Sequence, residues 1–72
     1  MDLLEVKSKR EMRREEAAKL LHQIADALER QNSLHFTKEG LKFVVDVADQ
    51  VEVEVELEVS DEGNSLEIEI NW

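Results

Sequence analysis

Residues 51–59 of this 72-residue chain, VEVEVELEV, alternate strictly between an apolar residue and a glutamate. Successive side chains of a β-strand point to opposite faces, so the segment predicts a strand with one apolar and one acidic face. A period of two also marks residues 34–36, 41–47 and 66–72, which are separated by short polar segments. Such alternation is typical of antiparallel strands in a sheet with one buried and one solvated face.

A helical period precedes these strands, over residues 13–31. Its apolar residues fall at steps of three and four and form one stripe. The stripe consists of Ala17, Leu21, Ile24 and Leu28. Asn32 follows, and asparagine can adopt the left-handed conformation that ends a helix.

The N-terminal segment allows two interpretations. Ser8-Lys9-Arg10-Glu11 has the spacing of a capping box, which would begin the helix at residue 9. Extending the helical phase backwards, however, places Arg10 and Arg13 on the apolar stripe. The alternation of Leu4 and Val6 with charged residues favours a strand instead. We therefore predict a strand over residues 3–11 and a helix that starts near Arg13.

Together these elements predict a single α+β domain over residues 1–72, with the element order β-α-β-β-β-β. One helix would pack on a largely antiparallel sheet of four to five strands, giving two layers. A helix about 10 Å across cannot cover five strands spaced about 4.8 Å apart. Some apolar sheet surface is therefore expected to stay open, and formation of a homodimer would cover it.

The charges suggest how the sheet is arranged. If Val59 faces Leu66, then Glu58 faces Glu67 and Glu56 faces Glu69, and such like-charge pairs are destabilising.

A strand over residues 3–11 placed beside the last strand would direct Lys7 and Lys9 to this acidic face. Counting five strands along the chain, we therefore predict the sheet order 2-3-4-5-1.

The net charge of −9 is unevenly distributed along the chain. Residues 43–72 contain ten Asp and Glu and no basic residue, whereas all nine Lys and Arg lie in residues 1–42. This charge argues against binding to nucleic acid or to an anionic membrane. No apolar run approaches the roughly 20 residues that cross a bilayer, and no signal core is present, so we expect a cytoplasmic protein.

The sequence lacks the patterns that usually carry chemistry. There is no cysteine, and neither His22 nor His35 has a second histidine at metal-binding spacing. The serines lie in no nucleophile motif, and Gly40 and Gly63 form no phosphate-binding loop. Carboxylates on an open face are solvated, whereas catalytic ones are usually enclosed. We expect no enzymatic activity, no cofactor and no metal site.

The candidate interaction face consists of Glu52, Glu54, Glu56, Glu58, Glu67 and Glu69. A solvated surface that keeps the protein soluble, of the kind found in salt-adapted proteins, is one interpretation. A second is a docking face for a basic protein, since complementary charge speeds association. An acidic mimic that competes for a basic surface is a third. A weak divalent-cation site is a fourth, although a flat row of carboxylates supplies converging oxygens poorly.

Trp72 has the same parity as Ile68 and Ile70, so its side chain is expected on the apolar side of the last strand. Two roles are open for it. It is either an anchor that closes the core at the end of the sheet or a contact in a dimer interface, where tryptophan is a frequent hot spot.

The order of these segments resembles the amphi-Trp domain family over about residues 4–72. The resemblance rests on REEAAKLLHQIADALERQ, followed by LHF, VVDVADQVEVEVELEV and the terminal LEIEINW. The family is named for an alternating strand that ends in tryptophan, here Trp72. It implies a small acidic module of unknown function, prominent in salt-loving archaea, and supplies no catalytic residues. Arg13 stands where a serine or threonine helix cap is usual, and Ala48-Asp49 where Pro-Asp is usual.

Overall fold

The structure, a computed structural model, describes residues 4–72 and contains one helix and four antiparallel strands. In chain order the elements are α1 (Arg14–Arg30), β1 (Ser33–Lys38), β2 (Leu41–Asp46), β3 (Glu52–Ser60) and β4 (Gly63–Asn71). The predicted α+β class is confirmed. The helix and all four strands that follow it lie where the change of period from 3.6 to 2 places them.

Helix α1 begins after Arg13, as the apolar stripe predicts, and not at the capping box. The carbonyl oxygen of Arg13 accepts hydrogen bonds from the backbone N–H groups of Glu16 and Ala17, both at 3.0 Å. The Arg13 side chain makes no capping hydrogen bond. At the other end Asn32 has φ 55°, so the predicted left-handed residue is confirmed.

Strands β1 and β2 form a hairpin with a two-residue turn. Glu39 and Gly40 both have positive φ, 53° and 79°, as a type I′ turn requires. The register pairs Phe36 with Phe43 and Leu34 with Val45, which gathers the apolar side chains on one face. Helix α1 lies against β1 on this side.

Strands β3 and β4 form a second and longer hairpin, whose register differs from the prediction. Val59 pairs with Asn64 and not with Leu66, because the turn contains only Asp61 and Glu62. Gly63 closes this turn with φ 139°, a value that residues with a Cβ rarely adopt. The pairing is shifted by two residues, an even number, so every side chain keeps its predicted face.

The predicted first strand is wrong for residues 4–11, which have no regular secondary structure, and Leu3 lies outside the described residues. This segment runs beside β1 and not beside the last strand: Lys38 Nζ donates a 2.8 Å hydrogen bond to the carbonyl oxygen of Glu5. Ser8 and Arg10 interrupt its apolar alternation, so the segment has little apolar surface with which to pack as a strand.

The prediction of one sheet in the order 2-3-4-5-1 is also wrong, because within residues 4–72 β1 pairs only with β2 and β3 only with β4. The backbone N–H of Val47 donates to the carbonyl oxygen of Asn32 at 2.9 Å, which continues the β1–β2 pairing by one residue. The five residues 47–51 that follow form no two-residue turn of the kind that closes both hairpins, so β3 is not directed back along β2.

The apolar surfaces of the helix and both hairpins converge on an open core. A cavity of about 410 Å³ lies between them, and no apolar side chain of residues 4–72 is fully buried. The cavity is lined by Leu4, Val6, Ile24, Leu28, Leu34, Phe36, Phe43, Val45, Ile68, Ile70 and Trp72. Every element except β3 contributes to it.

Because Arg13 occupies the N-cap position without a capping hydrogen bond, R13S should stabilise the protein by about 1 kcal/mol. The serine oxygen can accept a hydrogen bond from a free N–H group in the first turn of α1. Urea unfolding followed by circular dichroism measures the change.

R10S is the matched control, since it removes the same charge outside the helix. Equal stabilisation by both variants would show that the gain in stability comes from removing a positive charge, and would contradict the capping explanation.

Candidate interaction surfaces

All six predicted glutamates lie on one face of the β3–β4 hairpin, which we call the acidic face. They share a parity along each strand, and the register places Glu54 opposite Glu69 and Glu56 opposite Glu67. Glu52 is opposite Asn71, and Glu58 is opposite Ser65. The face therefore contains two directly opposed carboxylate pairs at its centre, flanked by single carboxylates at both ends.

No basic group neutralises this face within the part of the chain that the structure describes. The ion pairs of residues 4–72 join Arg13 and Arg14 to Glu15, at 4.0 Å and 3.5 Å. Lys7 lies near Thr37 and Lys38, so the prediction that the N-terminal lysines lie beside the terminal strand is wrong. Asn71 donates a 2.9 Å hydrogen bond from Nδ2 to Glu69 Oε1. The acidic face keeps its negative potential.

The opposite side of the same hairpin is an apolar face. The register pairs Val53 with Ile70, Val55 with Ile68 and Leu57 with Leu66. We call these six residues, together with Val59, the apolar hairpin face. Exposure rises towards the turn, from 55% at Val53 to 71% at Leu57. The end of this face near the helix approaches the core, whereas the end near the turn extends into solvent.

Trp72 connects the two hairpins. Its indole Nε1–H donates a 2.9 Å hydrogen bond to the carbonyl oxygen of Asp46, the last residue of β2. Its ring lines the central cavity, yet the residue remains 52% exposed. Trp72 thus lies on the predicted apolar side, at the open edge of the core. Sequence reasoning did not identify its partner, because a backbone acceptor has no sequence signal.

Among the remaining polar groups of residues 4–72, two side chains of β1 form a contact. Ser33, only 8% exposed, has its Oγ 3.3 Å from His35 Nε2, and this contact was not expected from the sequence. His22 lies on the exposed surface of α1. Within residues 4–72 no three His, Cys, Asp or Glu side chains are grouped so that they could hold a metal ion. No helix in this part of the chain has the length and apolar character needed to cross a membrane.

Comparison with known proteins adds one finding to this geometry. The model of the Amphi-Trp domain matches residues 2–72, which is nearly the whole chain. Comparison with curated proteins and with solved structures found no match.

The opposed carboxylates lead to a prediction about stability. E56Q removes the charge opposite Glu67 and should stabilise the protein by about 0.3 kcal/mol at low salt. The gain should disappear at about 1 M salt, where the Debye length is about 3 Å. Urea unfolding at both salt concentrations measures it.

E58Q is the control on the same strand, because Glu58 faces an uncharged serine. If E58Q stabilises the protein as much as E56Q does, cross-strand repulsion is not the cause.

The hydrogen bond of Trp72 leads to another prediction. W72F keeps an aromatic ring but removes the donor to Asp46, and should destabilise the protein by about 1 kcal/mol. W72A also removes the ring from the cavity and should cost more. Unfolding followed by circular dichroism compares them, and equal stability of W72F and the parent protein would show that the hydrogen bond contributes nothing.

Proposed function

We propose that this chain, which belongs to the Amphi-Trp domain family, is a non-enzymatic cytoplasmic interaction module whose acidic face docks a basic protein. The observation that supports this proposal is the register of β3 and β4. It places six carboxylates on one side of a single hairpin, with no basic residue anywhere in residues 43–72.

The spacing of the charges favours a regular basic partner. Alternate residues on one strand are about 6.8 Å apart, and directly opposed residues about 5 Å apart. On a helix, residues four positions apart are separated by a rise of about 6 Å. A helix with Lys or Arg at every fourth position therefore presents cations at nearly the period of the glutamates along β3.

Electrostatics explains why such a face is useful despite its cost in stability. Two like-charged pairs, Glu54–Glu69 and Glu56–Glu67, oppose hairpin formation, and a basic partner relieves both. The glutamates that repel one another in the free protein are thus attracted to the cations of the partner in the complex. Surface charge of this kind mainly raises the association rate and makes binding sensitive to salt.

A cation-binding role is less well supported by the same geometry. Calcium takes six to eight oxygens at about 2.3–2.6 Å, usually from loops that curve around the ion. The acidic face is built on two regular strands, so its carboxylates leave the surface side by side. They do not surround a common point at which an ion could be coordinated.

Binding to a lysine-rich helical peptide tests the proposal. Shifts of backbone amide signals should concentrate in β3 and β4, and affinity should fall at least tenfold between about 0.1 M and 1 M salt. A variant that neutralises three members of the acidic face should lose most of the binding. Its substitutions are Glu54→Gln, Glu56→Gln and Glu67→Gln.

The matched control neutralises three exposed carboxylates elsewhere and changes the net charge equally. Its substitutions are Glu5→Gln, Glu11→Gln and Glu29→Gln. If both triple variants weaken binding to the same extent, the peptide responds to net charge and the acidic face is not a docking site.

A further inference from the structure

The single chain exposes far more surface than a folded protein of its size. Its accessible area is 7266 Å², whereas a compact monomer of 8.4 kDa exposes about 4,600 Å². Its radius of gyration is 14.2 Å, against about 11 Å for a compact chain of this length. The excess area is about 2,700 Å².

Apolar side chains on the β3–β4 hairpin contribute to this excess. Val55, Leu57 and Val59 on β3 are 63–73% exposed, and Leu66 on β4 is 60% exposed. They adjoin Ile68 and Ile70, which line the mouth of the central cavity. A contiguous apolar patch bordered by charged residues marks an interaction site.

We infer that the apolar hairpin face is a homodimer interface, in which two copies pack these faces against each other. A stable interface buries about 800 Å² on each partner, which is well below the excess area of one chain. In a two-fold dimer each copy offers the same patch, so a self-complementary row of Val and Leu side chains needs no second binding surface.

The charges decide between a face-to-face and an edge-to-edge dimer. Face-to-face packing leaves both acidic faces pointing outwards, on opposite sides of the dimer. Extending the hairpin edge to edge would instead place the glutamates of one copy beside those of the other, which is unfavourable. The acidic face therefore directs self-association to the apolar hairpin face.

Salt should strengthen this dimer, because each copy has a net charge of −9 and the two repel each other at low ionic strength. Docking of a basic partner on the acidic face has the opposite salt dependence. The two surfaces lie on opposite sides of one hairpin, so failure of one proposal leaves the other intact and distinguishable.

Sedimentation equilibrium over a concentration series, from about 1 µM to about 300 µM, measures the dimer dissociation constant. L57Q should raise this constant about a hundredfold, a factor of ten for each copy, because it places an amide in the interface. E58Q, at the neighbouring position on the acidic face, should leave the constant unchanged or lower it slightly.

Circular dichroism of both variants checks their fold, which should persist because both side chains are exposed in the single chain. Monomeric mass at the highest concentration, at both low and high salt, would overturn the inference. Equal weakening by L57Q and E58Q would overturn it as well.

A thiol-protection measurement tests the same interface without depending on the strength of the glutamine variant. The chain has no cysteine, so L57C and E58C each contain a single thiol. In the dimer the L57C thiol should become protected from alkylation as protein concentration rises, whereas the E58C thiol should react at the same rate throughout. Concentration-independent alkylation of L57C would contradict the interface.

Discussion

The pairing of β3 with β4 is the interaction on which the character of this protein depends. A two-residue turn at Asp61 and Glu62 brings Leu57 opposite Leu66 and Glu56 opposite Glu67. A shift by one residue would place glutamates opposite apolar residues and give both faces mixed polarity. The observed register separates the two chemistries completely, so that one face of the hairpin is acidic and the other is apolar.

The proposed docking on the acidic face and the inferred dimer on the apolar hairpin face have opposite salt dependences, and both follow from one charge distribution. High salt screens the repulsion between Glu54 and Glu69, between Glu56 and Glu67, and between two whole chains. It also weakens attraction to a basic partner. A protein with these two faces would form dimers and bind basic partners weakly at high salt. At low salt it would bind basic partners more strongly.

A few hydrogen bonds connect the elements around the core, and the core itself is not closely packed. The Trp72–Asp46 hydrogen bond connects the second hairpin to the first, and the Val47–Asn32 hydrogen bond closes the first hairpin next to the end of the helix. Both use backbone groups of connecting residues or strand ends. Around them the cavity stays open, which agrees with a chain that completes its apolar packing against a second copy.

The residue pattern alone is sufficient to predict the helix and the four strands. It also predicts which residues form each face of the β3–β4 hairpin. The bounds of α1 and the grouping of six glutamates on one side follow from periods of 3.6 and 2, which are local properties of the backbone. The left-handed Asn32 follows from the preference of asparagine for that conformation. How the hairpins are arranged depends on tertiary contacts instead. Lys38 holds the N-terminal segment at β1 through the carbonyl oxygen of Glu5, and Trp72 holds the second hairpin at β2 through that of Asp46. Backbone acceptors are the same at every residue, so no sequence pattern could show which of them these groups would reach.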